Sequence, residues 1–179
     1  MGNHSEVRMD ALITILDHSM EDLLIDFCKD NNVPILLLTH GRGTAKSVIY
    51  EILGYGSLKK TVSVSVQTKS MAEYLLKELR EHIDFSKPGT GIAFTINISS
   101  ISSVLSKVCI QRDNDLKIGS EDMPLTSREP YHLIITIVNS GFFDQVMEAA
   151  KRAGAQGGTV IHARGLGSKE AQKYLGITI

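Results

Sequence analysis

Apolar and polar residues alternate along this chain in short runs that define its elements. Ala11 to Leu16 is a nearly continuous apolar run, which predicts a strand covered on both faces or central in a sheet. Ser19 with Asp22 three residues on predicts a capped helix start. Met20, Leu23, Leu24 and Phe27 then fall on one helical stripe. Asn31-Asn32 ends that helix, Pro34 prevents its return, and Ile35 to Thr39 predicts a second strand. His40 to Thr44 reads as a glycine-broken loop, and Val48 to Gly56 is ambiguous but ends as a turn. Thr61 to Val66 alternates, with Val62, Val64 and Val66 on one face and Thr61, Ser63 and Ser65 on the other, which predicts a half-buried antiparallel strand. Ser70 with Glu73 predicts a second capping box, and Met71, Leu75, Leu76, Leu79 and Ile83 line one face of the helix it starts. Pro88-Gly89-Thr90-Gly91 predicts a tight turn, after which Ile92, Phe94, Ile96 and Ile98 alternate as a fourth strand.

Strand, helix, strand, strand, helix, strand is the order of an α+β, ferredoxin-like βαββαβ unit, here spanning residues 1–104. Residues 105–130 mix charge, Gly and Pro and read as a linker, with one extra strand around Val108 to Ile110. The pattern then starts again over residues 131–179. Ile13-Thr14-Ile15 returns as Ile135-Thr136-Ile137, His40-Gly41-Arg42-Gly43 as His162-Ala163-Arg164-Gly165, and Leu53-Gly54 as Leu175-Gly176. One constant interval separates all three pairs, so the unit is copied without a gap. The second copy is expected to give an incomplete βαβ: a strand over His132 to Val138, a helix marked by Val146, Met147 and Ala150 and ended near Gly154, and a strand over Gly158 to Ala163. The other half of this copy would fall beyond Ile179. A truncated chain, a natural short form and completion by another chain are all open explanations.

Composition narrows the function classes. With 42% hydrophobic and 22% charged residues, the 179-residue chain has the make-up of a globular protein with a proper core. A net charge of −1 gives no electrostatic reason to expect nucleic acid as partner. No apolar run reaches the length of a bilayer span, and the N-terminus has no apolar signal core, so a cytoplasmic location is expected. Cys28 lies on the predicted stripe of the first helix, which favours a buried thiol over a disulfide or a metal ligand.

No catalytic constellation emerges from the spacing. The six histidines are scattered, and none has the Cys or carboxylate spacing of a zinc site, so no metal ligands are assigned. His40 and His162 share one repeat position, where an imidazole would either satisfy a turn at a strand end or contact a ligand. Ala45-Lys46-Ser47 offers the Lys-Ser of a phosphate-binding P-loop, but Ala45 and His40 stand where its two glycines belong, so that motif is rejected. Arg164-Gly165-Leu166-Gly167-Ser168-Lys169 is either an anion-binding nest of glycine amides beside two cations or a structural turn.

At these residues the sequence resembles the PII family of nitrogen-regulatory signalling proteins. In the second copy the resemblance lies in Gly157-Gly158-Thr159-Val160 and Arg164 to Lys169; in the first, Pro88 to Phe94 is similar to the glycine turn and strand of the family's B-loop. The resemblance implies a non-catalytic, trimeric ferredoxin-like sensor. ATP or ADP would bind between subunits, 2-oxoglutarate would join through Mg-ATP, and a T-loop would dock onto a regulated enzyme or transporter. It also implies ligand contacts from Arg164, Gly165, Gly167, Ser168, Lys169, Gly43, Lys46, Gly89 and Gly91. The chain departs from the family pattern where an Arg or Lys followed by Gln is usual: Lys46-Ser47 and Ser168-Lys169 stand there. Ile92 replaces the B-loop lysine, and Ser103 and Leu105 replace the arginines beyond it. Copy one therefore carries fewer phosphate-neutralising cations than the family pattern. The alternatives of another class are an oligomeric interaction module without ligand binding, and an enzyme built on the same scaffold.

Overall fold

A computed structural model describes residues 7–44, 59–116 and 132–163. The first unit runs β1 (Met9–Asp17), a single 3-10 turn (His18–Met20), α1 (Glu21–Asp30), β2 (Leu36–Gly43), β3 (Lys59–Thr68), α2 (Lys69–His82) and β4 (Gly91–Ile98). It continues into α3 (Ser103–Leu116), and the second copy contributes α4 (Phe143–Arg152) and β5 (Thr159–Ile161). The strands form one antiparallel sheet in the order β4-β1-β3-β2-β5. Its first four strands, with α1 and α2 on one face, make the ferredoxin-like α+β unit that the alternation predicts.

The register shows why β1 carries a continuous apolar run. It is flanked by β3 and β4, with Leu12 opposite Ser65 and Thr95, and Leu16 opposite Thr61 and Gly91. Leu12 and Leu16 pack beneath α1 and α2 with Leu24, Phe27, Met71, Leu75, Leu79 and Ile83. The small polar residues of β3 share this helix-covered face, so Thr61, Ser63 and Ser65 are buried. The expected half-buried strand is thus buried on the face of its hydroxyls, and Val62 on the opposite face is buried as well. The hydroxyls tolerate burial because they find partners: Thr14 Oγ1 and Ser63 Oγ lie 2.7 Å apart, and Thr61 Oγ1 donates to Glu21. The opposite sheet face aligns Ile13 and Ile15 with Val64 and Val62 of β3 and with Phe94 and Ile92 of β4. Leu37 of β2 lies beside Val64 in the same face.

Both expected capping boxes are replaced by neighbouring residues. Asp17 accepts hydrogen bonds from Ser19 N (3.1 Å) and Ser19 Oγ (2.8 Å), which leaves Met20 as the N-cap of α1 without a side-chain cap. Thr68, not Ser70, caps α2 by accepting from Met71 N at 3.2 Å. Cys28 is buried as its stripe position predicts, and desolvation pushes its thiol up to about 11.

Three further expectations are corrected. The extra strand expected at Val108–Ile110 is replaced by α3, which occupies the first part of the expected 105–130 linker, while residues 117–130 lie outside the described residues. Helix α3 packs on β3: Cys109 is buried and its Sγ donates to Val66 O, and Thr68 Oγ1 donates to Asp113. The glycine-broken loop at His40–Thr44 is strand as far as Gly43. Residues 132–138 form no strand. Their counterpart β1 has β3 on one side and β4 on the other, whereas nothing equivalent flanks 132–138 among the described residues. Ile134 is consequently 85% exposed.

The second copy attaches through β5, the segment that the repeat aligns with β2. Gly41 pairs with Ile161, Arg42 with Val160 and Gly43 with Thr159. In this register His40 and His162, the two equivalent histidines, would be next in line. The two segments thus meet edge to edge in an antiparallel pair. Thr44 locks the contact: its N and Oγ1 both donate to Gly158 O (3.0 and 2.9 Å), and Gly158 N donates back to Thr44 Oγ1 at 2.8 Å.

Candidate functional site

Antiparallel pairing brings the ends of β1 and β2 to the same edge of the sheet as the starts of β3 and β4. Gly43, Gly89 and Gly91 therefore lie at one end of the unit. Gly43 ends β2, whereas Gly89 and Gly91 form the turn into β4. Between β2 and β4 stand β3 and β1, three strand spacings or about 14 Å in all. One chain thus presents the two glycine elements side by side without closing them on a single small group. Lys46, Arg164, Gly165, Gly167, Ser168 and Lys169 lie outside the described residues.

The glycine turn is tied down by the strands around it. Asp17 N donates to Thr90 O at 2.8 Å, and Lys60 Nζ donates to Gly89 O at 2.7 Å. The same ammonium reaches Asp17 Oδ2 at 3.3 Å in a largely buried pair. Burial pushes the Asp17 carboxyl up, but the Ser19 hydroxyl and amide and the Lys60 charge outweigh it and hold the group below its usual range. A depressed folded-state value stabilises the fold above the unfolded pKa near 3.8, and the contribution is lost as pH falls through the lower folded value. Asp17→Asn is expected to flatten the loss of stability on acidification. Urea unfolding at neutral pH and at about pH 3 checks it, and an acid slope equal to wild type would refute the role of Asp17.

On the helix-covered side of this edge, Arg42 of β2 stands directly opposite Lys59 of β3. One row further along, His40 is opposite Thr61. His40 Nε2 lies 2.7 Å from Glu21 Oε2, and His18 Nδ1 lies 3.2 Å from the same oxygen. Thr61 Oγ1 donates to it at 2.5 Å. The Thr61 hydroxyl first and the His40 imidazole second hold the Glu21 carboxyl below its usual value. The rings of His18 and His40 meet edge to face at 5.0 Å. His40 is thus within a strand, not at a strand end, and its imidazole serves a carboxylate rather than a turn.

Sequence spacing gave no sign of this group, because its members come from the 3-10 turn, α1 and β2. The one available signal was the return of His40 as His162.

No protein-family model matches the chain, and no curated protein sequence does. Among solved structures, the chain is similar to a B. subtilis GlnK-ATP complex at 12% identity, with a TM-score of 0.40 over 55% of this chain and 90% of that one. No helix among the described residues is long and apolar enough to cross a membrane.

Proposed function

We propose that this chain is a PII-like regulatory protein of the cytoplasm without catalysis of its own. It senses a small anionic ligand, with an adenine nucleotide (ATP or ADP) as the candidate, and controls an enzyme or transporter of nitrogen metabolism. The observation that carries this reading is the gathering of Gly43, Gly89 and Gly91 at one sheet end, with Arg42 beside Gly43 in β2. Glycine amides would donate to a phosphate group there, and a guanidinium would add charge-assisted bonds.

The separation of Gly43 from Gly89 and Gly91 within one chain favours a cleft shared between chains. The sheet face opposite α1 and α2 supports assembly. Helix α3 packs at its Val66–Thr68 end, while Ile13, Ile15, Val64 and Phe94 continue it, and Leu37 and Ile92 on it are more than half exposed. A second copy of the chain would cover such a face, and the resemblance to the PII family makes the assembly a trimer. Arg164, Gly165, Gly167, Ser168 and Lys169 of the second copy, with Lys46 of the first, complete the proposed ligand contacts.

A second reading, an oligomeric interaction module without a ligand, is favoured by Ile92. This residue is 56% exposed at the start of β4, where the family pattern has a phosphate-binding lysine. Calorimetric titration with ATP, ADP and AMP, paired with light scattering, decides between them. The expected result is an oligomer that binds at least one nucleotide, with Arg42→Ala weakening binding about tenfold or more. An oligomer that gives no heat with any of the three would leave the interaction module, and a monomer without binding would overturn both readings.

A further inference from the structure

The His18–Glu21–His40 group has the donor set and the spacing of a metal centre. Its three ligand atoms, two imidazole nitrogens and one carboxylate oxygen, all lie within 4.8 Å of one another. In a tetrahedral zinc site with bonds of about 2.0–2.1 Å, ligand atoms stand about 3.3 Å apart. His18 Nδ1 is already 3.2 Å from Glu21 Oε2. His40 Nε2, now at 2.7 Å, needs only to retreat by a fraction of an ångström. Its imidazole is free to do so, since the His40 side chain is 62% exposed.

The surroundings are those of a prepared ligand set. Glu21 is fixed by the buried Thr61, whose hydroxyl donates to the oxygen that would face the ion. Metal-binding carboxylates are oriented in this way by groups one shell out. Each ligand sits on a different piece of the fold: the 3-10 turn, the first turn of α1, and β2. An ion there would pin all three at the sheet end. Two imidazoles and one carboxylate, with solvent on the exposed side, suit a first-row transition-metal dication that keeps coordination positions open. Magnesium and calcium prefer all-oxygen shells.

We infer that His18, Glu21 and His40 form a binding site for a divalent transition metal of the Zn(II) class, with open positions toward solvent. The site is independent of the proposed nucleotide contacts, since none of its three ligands belongs to them.

The test uses the full-length, tag-free chain titrated with Zn²⁺ by calorimetry and with Co²⁺ by visible absorption. One ion per chain is expected, with the cobalt spectrum of a low-symmetry site containing nitrogen ligands. His18→Ala and His40→Ala are each expected to abolish the cobalt bands without unfolding the protein, because both side chains are partly exposed. Thr61→Ala should weaken binding about 10- to 100-fold, as loss of a supporting hydrogen bond does. His82→Ala, remote from the group, should leave binding unchanged. Failure of the wild-type chain to bind either ion overturns the inference. So does binding that survives both His18→Ala and His40→Ala, and so does loss of binding in His82→Ala.

Discussion

Gly91→Ala is expected to be the most damaging single-methyl change in the first unit. Gly91 has φ +134°, a conformation that side chains rarely adopt. A Cβ placed there would stand 2.0 Å from Ile15 O and 2.8 Å from Leu16 Cα, both backbone atoms of the adjacent strand β1. No rotamer change relieves such a contact. Either β4 separates from β1 or the turn before it rearranges, and the second choice breaks the bond from Asp17 N to Thr90 O. Strain at an unfavourable φ costs about 1–3 kcal/mol, and the clash adds to it, so a total of about 4 kcal/mol or more is expected. Gly89→Ala is the comparison. Gly89 also has a positive φ, +86°, in the left-handed region. With strain alone it should cost about 1–2 kcal/mol. Urea midpoints for the two variants check the order, and equal losses would show that β4 does not approach β1 as described. A ligand role for either glycine would appear separately, as a change in nucleotide affinity in folded Gly89→Ala.

The parts of this fold that were legible in the sequence are those whose burial follows from alternation or helical stripes. Strands β1, β3 and β4 and helices α1, α2 and α4 belong here. What escaped depends on neighbours that no local pattern reveals. Gly41 and Gly43 read as strand breakers, yet β2 runs through both. A Cβ at Gly41 would meet Val160 O at 2.7 Å, so the missing side chain is what allows β5 to dock. The charged stretch Gln111 to Asp115 reads as a linker, while it is the contact of Cys109 and Asp113 with β3 that fixes α3. Residues 132–138 show the reverse case, an apolar pattern with no neighbouring strand to pair with among the described residues. Of the residues expected to contact a ligand, Gly43, Gly89 and Gly91 lie at one sheet end. The His18–Glu21–His40 group was not legible, because three elements have to fold together before it exists.

Leu16→Ala is the second change expected to have a large effect, and its contrast with Ile15→Ala tests the two-faced nature of the sheet. Leu16 is 0% exposed and packs beneath α1 and α2, whereas Ile15 points to the opposite sheet face and is only half-buried. Truncating a fully buried leucine costs about 2–5 kcal/mol, the transfer of its methyls plus the cavity left behind. At half burial the isolated unit loses roughly 1 kcal/mol from Ile15→Ala by area alone. If this face is covered by a second copy, Ile15→Ala acts on assembly as well. Its unfolding midpoint should then depend on protein concentration less strongly than that of Leu16→Ala, because weaker assembly removes mass-action stabilisation. Because strand side chains alternate, a register shift of one residue in β1 would exchange the two outcomes. A larger loss in Ile15→Ala than in Leu16→Ala, measured by urea unfolding at several protein concentrations, would therefore contradict the pairing of Leu16 with Thr61 and Gly91 on which the whole sheet-end geometry depends.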